Sequence, residues 1–137
     1  MKRALVAAAS LMLAACSGPT PEPTAPTAQS PATKVAPTAA MGAQLFKRCI
    51  ACHTIEAGAR HSIGPNLHGI VGQNIAAAPG FAYSPALKAK GGIWDAATLD
   101  SWLKSPAQAV PGNRMAFAGV AEAAEREALI LYMAEQK

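Results

Sequence analysis

Apolar side chains recur at helical spacing in three stretches of this chain, and each stretch predicts an α-helix. We expect these helices over about 42–52, 95–104 and 122–135, with Ser105-Pro106 ending the second. Their apolar faces are formed by Leu45, Phe46 and Cys49, by Leu99, Trp102 and Leu103, and by Leu129, Tyr132 and Met133. Residues 54–80 are rich in Gly and Pro and predict long loops. The pattern therefore predicts an all-α domain of three core helices joined by loops.

The first 40 residues differ in composition from the rest of the chain. They contain no aromatic residue, whereas all seven aromatic residues lie between Phe46 and Tyr132. The folded domain is therefore expected to span residues 41–137, which is short for a self-sufficient hydrophobic core. A large buried cofactor would help such a domain to fold.

Residues 1–15 have the pattern of a secretory signal peptide. Lys2 and Arg3 form a positive start, and Ala4–Ala15 is an apolar run of 12 residues. A spanning helix needs about 20 residues. The run ends in Leu13-Ala14-Ala15-Cys16, which resembles the lipobox of bacterial lipoproteins. We expect cleavage before Cys16 and lipidation of its thiol. The alternative is an ordinary signal peptide cut nearby, with this cysteine there by chance.

Residues 16–40 predict an extended tether between the lipidated cysteine and the folded domain. They are rich in Ala, Thr and Pro, and the prolines are Pro19, Pro21, Pro23, Pro26, Pro31 and Pro37. Proline lacks a backbone donor, and Ala and Thr have little surface to bury, so no packed structure is expected.

Removal of the leader leaves ten basic and eight acidic side chains. This net charge of +2, without a basic run, does not favour nucleic-acid binding.

The two remaining cysteines lie in Cys49-Ile50-Ala51-Cys52-His53, the C-x-x-C-H pattern of haem attachment. Each thiol can form a thioether with one haem vinyl group, and His53 then lies beneath the iron as an axial ligand. The competing interpretations are a thiol–disulfide redox pair, half of a zinc site and a structural disulfide. A zinc site would need a second ligand pair, but the domain has no further cysteine. A thioredoxin-like pair would need a βαβ unit, which the sequence pattern does not predict. The expected cofactor is therefore one haem c, covalently bound through Cys49 and Cys52.

An iron bound by His53 needs a sixth ligand or keeps an open position. The candidates are Met41, Met115, Met133, His61 and His68. Met133 falls within a helical pattern, and Met41, placed before the first helix, lies too near the cysteines to cross the haem easily. The two histidines are more simply interpreted as loop or core-edge residues. Met115 follows Pro111-Gly112-Asn113-Arg114, where a loop can cover a flat cofactor. Its soft thioether favours reduced iron, and it is the predicted ligand.

Residues 42 to about 135 resemble a class I cytochrome c of the mitochondrial type. Besides C-x-x-C-H, the resemblance is carried by Gly64-Pro65-Asn66-Leu67-His68-Gly69, Pro79-Gly80-Phe81-Ala82-Tyr83, Gly92-Ile93-Trp94, Pro111-Gly112-Asn113-Arg114-Met115-Ala116-Phe117 and Glu125-Arg126-Glu127. The interval of 62 residues between the two predicted axial ligands also matches. The resemblance implies the class I cytochrome c fold wrapped around one haem. It places Gly42 and Phe46 against Leu129 and Tyr132, where the first and last helices cross.

The resemblance also implies roles for individual side chains around the haem. The Pro65 carbonyl would accept a hydrogen bond from His53 and fix the orientation of its ring. The residues that would donate hydrogen bonds to a haem propionate are Tyr83, Trp94 and Asn113. Core packing alone would also explain the two aromatic residues, and the asparagine stands where the family usually has Thr. Phe117 would shield the haem edge near Met115.

Three positions depart from the mitochondrial pattern, and we expect them to affect the reduction potential. Gln73 replaces an Arg near a propionate, Trp102 replaces a Tyr that bonds the Met sulfur, and Leu87 replaces an Asn that helps to hold an internal water. The basic side chains available for docking are Lys47, Arg48, Lys88, Lys90, Lys104 and Arg114. This set is sparse, so we expect weak electrostatic steering, which a tether would offset by raising the partner's effective concentration.

Together these features predict a membrane-tethered monohaem electron carrier and not an enzyme. Its expected partners are a quinol-oxidising complex and a terminal oxidase or reductase. We expect a monomer on the periplasmic side of a bacterial membrane. Ser17 suits outer-membrane sorting in enteric bacteria, but a carrier between inner-membrane complexes belongs on the inner membrane, which we prefer. The alternative function is a haem enzyme or gas sensor, peroxidase-like, with a displaceable sixth ligand. Met115 and the lack of a recognisable distal acid–base pair favour the carrier.

Overall fold

The computed structural model describes residues 36–137. The predicted signal peptide, Cys16 and most of the predicted tether lie outside the described residues. The helices are α1 (Ala39–Phe46), α2 (Pro85–Lys90), α3 (Ala96–Lys104), α4 (Pro106–Ala109) and α5 (Ala123–Glu135). Strand pairing over 36–137 is limited to an isolated antiparallel bridge between Asn74 and Ile93. The all-α prediction is confirmed.

Helix α1 begins and ends earlier than predicted. The Thr38 hydroxyl accepts a hydrogen bond from the Met41 amide at 3.2 Å and caps the helix, so Met41 lies inside α1 and not before it. Beyond Phe46 the amides bond to carbonyls three residues back, as when Cys49 N–H donates to Phe46 O at 2.7 Å. The predicted extension to Cys52 was wrong, because these tighter turns replace the α-helical pattern.

The short helices α2 and α4 were not predicted. Each begins with a Ser-Pro pair, in which the serine is the N-cap and the proline is the first helical residue. In α2 the Ser84 hydroxyl accepts a hydrogen bond from the Leu87 amide at 3.1 Å. The pair Ser105-Pro106 therefore ends α3, as predicted, and also begins α4.

Helices α1 and α5 cross in close contact. A Cβ at Gly42 would overlap the carbonyl of Ala128 and would lie 2.7 Å from Tyr132 Cβ, so only glycine permits this approach. Beside it, the rings of Phe46 and Tyr132 pack with centroids 5.3 Å apart. The predicted crossing of the first and last helices is confirmed.

A buried arginine joins α5 to α3 and to the segment that precedes α5. Arg126 is 6% exposed, and its Nε donates to Asp100 Oδ1 at 2.6 Å. Its Nη1 donates to the carbonyls of Val120 and Ala121 at 3.0 and 2.6 Å. Charged hydrogen bonds of this kind are the stronger ones in proteins, so this cluster fixes where α5 begins.

The hydrophobic core is built from the inward faces of the helices and from loop residues. Its buried members include Phe46, Ile55, Ile70, Ile75, Tyr83, Leu87, Trp94, Leu99, Trp102, Leu103, Val110, Val120, Leu129 and Met133. Several of its members, such as Ile55, Ile70 and Trp94, lie in loops between the helices. Across the described part of the chain, no helix has the length and apolar character needed to cross a membrane.

Candidate functional site

The two domain cysteines lie on the turns that follow α1. The amides of Cys52 and His53 both donate to the carbonyl of Cys49, at 3.0 and 2.9 Å, which holds the three residues on one turn. Both thiols are free and half-buried. Burial raises the pKa of Cys49, an effect that Arg48 partly offsets. A nucleophilic redox cysteine usually has a lowered pKa, and the shift at Cys49 is in the opposite direction.

The imidazole of His53 is held in one orientation by the loop that follows it. Its Nδ1 lies 2.7 Å from the carbonyl oxygen of Pro65, the contact that the resemblance predicted. A carbonyl can only accept, so Nδ1 carries the hydrogen and Nε2 keeps its lone pair. Burial lowers the pKa of His53 and favours the neutral ring, with the hydrogen bond to Pro65 acting in the opposite direction. A neutral imidazole with a free Nε2 is the form that binds iron.

Gly64 packs closely against the ring of His53. A Cβ at this position would overlap His53 Cε1 and would lie 2.7 Å from Nδ1. The Gly64 amide donates to Cys52 O at 2.7 Å, which ties the glycine to the cysteine turn. In the sequence, Gly64 stands out only as part of the family resemblance. Its direct contact with the ring was missed, because a glycine in a loop gives no local sign of what it touches.

The predicted methionine ligand lies in the loop between α4 and α5. Met115 and Phe117 are half-buried and pack against the hydrophobic core. Met133 is 4% exposed and belongs to that core, as its helical pattern suggested. The role of Met115 as an axial ligand stays a prediction.

The two histidines that were set aside as ligands have loop contacts instead. His61 Nδ1 accepts from the Asn66 amide at 2.9 Å, and its Nε2 donates to the carbonyl of Pro79 at 2.9 Å. His68 Nδ1 lies 3.2 Å from the carbonyl of Ile55. Both ring nitrogens of His61 are occupied, which agrees with its interpretation as a loop residue.

The aromatic residues predicted to face a propionate are buried and have polar atoms at their edges. Burial raises the pKa of the Tyr83 hydroxyl, and a hydrogen bond with the Ala78 backbone partly offsets this rise. Trp94 packs edge-to-face on Trp102 with centroids 5.4 Å apart. No polar side-chain atom in the described region is both sealed from solvent and without a hydrogen-bond partner. The propionate contacts of Tyr83 and Trp94 stay predictions.

Asn113 has a different set of partners from the one that the resemblance implied. Its Nδ2 donates to the carbonyls of Pro106 and Val110 at 2.7 and 2.8 Å, and its Oδ1 accepts from the Met115 amide at 2.8 Å. Both amide hydrogens therefore have partners within the chain, and a propionate contact of Asn113 stays a prediction. The signal that could have shown these bonds is the Pro-Gly-Asn turn, where an Asn side chain often bonds the backbone two residues on.

Of the three positions that depart from the mitochondrial pattern, two are buried, and the basic residues available for docking are all exposed. Leu87 is buried, Trp102 is buried beside Trp94, and Gln73 is exposed. The six basic candidates are exposed, namely Lys47, Arg48, Lys88, Lys90, Lys104 and Arg114. Arg48 pairs with Glu125 at 3.4 Å, so its charge is partly compensated on its own surface.

The donor set at the cysteine turn suits a covalently bound haem better than a free metal ion. It offers two free thiols at the required spacing and an imidazole with an available Nε2. Within residues 36–137, no three His, Cys, Asp or Glu side chains are grouped in a way that could hold a metal ion. A structural zinc site uses four such ligands.

Comparison with known proteins points in the same direction. A family model described as Cytochrome c matches residues 39–137. Cytochrome c of Kluyveromyces lactis is 43% identical over 93 residues, covering 67% of this chain and 84% of that protein. Cytochrome c2 of Agrobacterium tumefaciens is 41% identical over 97 residues, covering 69% and 87%. The structure of cytochrome cH from Methylobacterium extorquens superposes with a TM-score of 0.66 at 39% identity, covering 70% of this chain and 96% of that one.

Proposed function

This chain belongs to the class I cytochrome c family, and we propose that it transfers single electrons through a haem iron that His53 and Met115 would bind. Membership of the family establishes one covalent haem c, bound through Cys49 and Cys52, and monohaem electron transfer. The observation that best supports His53 as a ligand is the 2.7 Å contact between its Nδ1 and Pro65 O. It leaves Nε2 as the free atom of a ring that cannot easily turn.

The remaining site residues act on the environment of the cofactor. Haem supplies one-electron iron chemistry when bound. The Pro65 carbonyl makes His53 a stronger donor by accepting its Nδ1 hydrogen. The half-buried ring of Phe117 keeps water from the Met115 side. Tyr83 and Trp94, both buried, are the proposed donors to the propionates.

Haem attachment is tested by replacing both domain cysteines together in a host that matures c-type cytochromes. The wild-type protein is expected to keep its haem on a denaturing gel and to show the added mass of one haem. The double variant Cys49→Ser/Cys52→Ser is expected to lose both signals. Cys16→Ser is the matched control, because its thiol lies outside the domain, and it should keep the haem. A wild-type haem that is extracted by acidified solvent would contradict covalent attachment.

We further propose that the protein is a lipid-anchored periplasmic monomer. In this proposal residues 1–15 are a signal peptide, Cys16 carries the lipid, residues 16–40 form the tether and residues 41–137 form the cytochrome domain. The support is the lipobox-like end of the leader and the proline-rich composition that follows it. The proposed partners are a quinol-oxidising complex and a terminal oxidase or reductase, with the inner membrane preferred over the outer.

The anchor is tested by membrane fractionation followed by a haem stain. The wild-type protein is expected in the membrane fraction, and Cys16→Ser in the soluble periplasmic fraction. Ser17→Ala is the control, since it alters the neighbouring residue and keeps the thiol. A soluble wild-type protein, or a Cys16→Ser variant that stays with the membrane, would contradict the anchor. If the tether raises the partner's effective concentration, the unanchored variant should also reduce the oxidase more slowly.

A further inference from the structure

The loop that carries Met115 has its backbone attachments at its two ends. Before Met115, the Asn113 amide donates to Val110 O at 3.1 Å. After it, the Val120 amide donates to Leu103 O at 2.8 Å. Phe117 N–H donates to Met115 O at 3.0 Å, a bond inside the loop that does not attach it to the rest of the domain. Besides the packing of its side chain on the core, the position of Met115 therefore depends on what holds the backbone of the loop just before it.

The side chain of Asn113 holds that part of the loop. Its Nδ2 hydrogens reach Pro106 O at 2.7 Å and Val110 O at 2.8 Å, the first and the capping residues of α4. Its Oδ1 receives the Met115 amide at 2.8 Å. Two carbonyls on one side and an amide on the other fix which end of the carboxamide is nitrogen. One side chain thus connects α4 directly to the backbone of Met115.

The same arrangement occurs at Asn66, beside Pro65, the residue that orients His53. Asn66 follows Pro65, and its Nδ2 donates to Glu56 O and Ala59 O at 2.9 and 2.8 Å. Its Oδ1 accepts from the amide of His68, two residues on, at 2.8 Å. Near each predicted axial ligand, an asparagine therefore bonds two upstream carbonyls and one downstream amide. The carboxamide of Asn113, like that of Asn66, has both its hydrogens and its oxygen bonded to the backbone of this chain.

We propose that Asn113 is the positioning residue for the methionine ligand and acts through the Met115 backbone, without contact to the cofactor. The inference rests on the proposed assignment of Met115 as axial ligand. A carboxamide supplies two donors and an acceptor at this length, which the hydroxyl of Thr cannot do. The usual family residue would therefore keep at most part of these bonds. Loss of the unit lets the Met115 segment move away more often and opens the iron to other ligands.

The test measures how readily imidazole binds to the ferric holoprotein at the Met115 position. Apparent affinity scales with the fraction of molecules in which the position is open. Asn113→Ala is expected to raise the apparent affinity by about tenfold, since one net hydrogen bond corresponds to about that factor. Asn113→Thr should give a smaller rise. Asn66→Ala removes the same kinds of bond beside Pro65 and is the control. Its apparent affinity for imidazole is expected to differ from the wild type by less than about threefold.

Hydrogen exchange of the Met115 amide in the reduced protein gives a second readout that does not depend on ligand binding. The amide is expected to exchange slowly in the wild type and in Asn66→Ala, and about tenfold faster in Asn113→Ala. This measurement also applies to Asn113→Thr if the alanine variant folds poorly. Unchanged exchange in both Asn113 variants would overturn the proposal.

The outcomes separate this inference from the proposed function. A wild-type ferric protein without the weak long-wavelength band of methionine-bound haem overturns both. With that band present, imidazole affinities of the Asn113 variants equal to the wild type overturn the positioning role alone. A Thr variant that matches the wild type while the Ala variant differs also overturns it, because that result indicates the single-donor propionate contact of the family. A graded rise from wild type through Thr to Ala supports it.

Discussion

Replacing Gly64 by alanine tests how tightly the protein holds the ring of His53. The added Cβ would lie 2.7 Å from Nδ1 and 2.8 Å from Nε2 and would overlap Cε1. Ordinary contact between such atoms is about 3.5–4.0 Å, so the ring or the backbone must move by about 1 Å. The Gly64 amide is bonded to Cys52 O at 2.7 Å, which resists backbone movement. We therefore expect the ring to move.

The cost of that movement follows from the contacts that it disturbs. Moving the ring of His53 by about 1 Å lengthens the 2.7 Å bond to Pro65 O beyond hydrogen-bonding range, a loss of about 1 kcal/mol. Overpacking adds about 1–3 kcal/mol, so the free energy of unfolding should fall by about 2–4 kcal/mol. The lost bond also weakens His53 as a donor. Oxidised iron then loses more stabilisation than reduced iron, and the reduction potential should rise.

Denaturation of the holoprotein and voltammetry measure the two effects. Gly80→Ala is the matched control, because a Cβ there meets nothing within 4 Å and the cost is only that of φ +81°. That strain is about 1–2 kcal/mol and should leave the potential unchanged. If Gly64→Ala costs no more than the control and has the wild-type potential, the ring is not held as described.

Three further predictions concern the scaffold. Arg126→Met removes the charged hydrogen bonds to Asp100, and it should lower the free energy of unfolding by about 2–3 kcal/mol in guanidinium, less than for a fully buried pair because the Asp100 side chain is 42% exposed. A wild-type value would contradict this. The Thr98 amide lowers the pKa of Asp95 below its ordinary 3.8. This carboxylate stabilises the fold above pH 3.8, and the effect is lost as pH falls through the lower folded value, so Asp95→Asn should flatten the acid dependence of Tm there. An unchanged slope would refute it. Gly42→Ala forces α1 from α5 and should cost about 3 kcal/mol, measured by the same denaturation. A loss under about 1 kcal/mol would show that the crossing tolerates a methyl group.

The longer helices and the attachment motif were accessible from the sequence because their signals are local. The apolar faces of α3 and α5 follow helical spacing, and Ser105-Pro106 correctly predicted the end of α3. The C-x-x-C-H motif carries its own spacing. The contact between His53 and Pro65 was expected through the family resemblance, and no local pattern would have indicated it.

Other features depended on contacts that a sequence pattern does not contain. Helix α1 ends at Phe46 because the amides that follow it donate to carbonyls three residues back and not four. The apolar spacing nevertheless continues to Cys49. Helix α2 has only six residues, too few to show a period, and its Ser-Pro start was the available signal. The bonds of Asn113 could not be told from a propionate contact, because both use the same carboxamide. Only the positions of the neighbouring carbonyls separate the two roles.

The most direct test of the electron-carrier assignment is the long-wavelength absorbance band of the oxidised holoprotein, which reports a methionine sulfur on the iron. We predict that the wild type shows this band, that Met115→Ala loses it, and that Met133→Leu, a conservative change in the core, keeps it. The reduced wild-type protein should bind carbon monoxide only slowly. A wild-type protein that lacks the band and binds carbon monoxide rapidly when reduced would contradict the carrier and indicate a haem protein with an open sixth position.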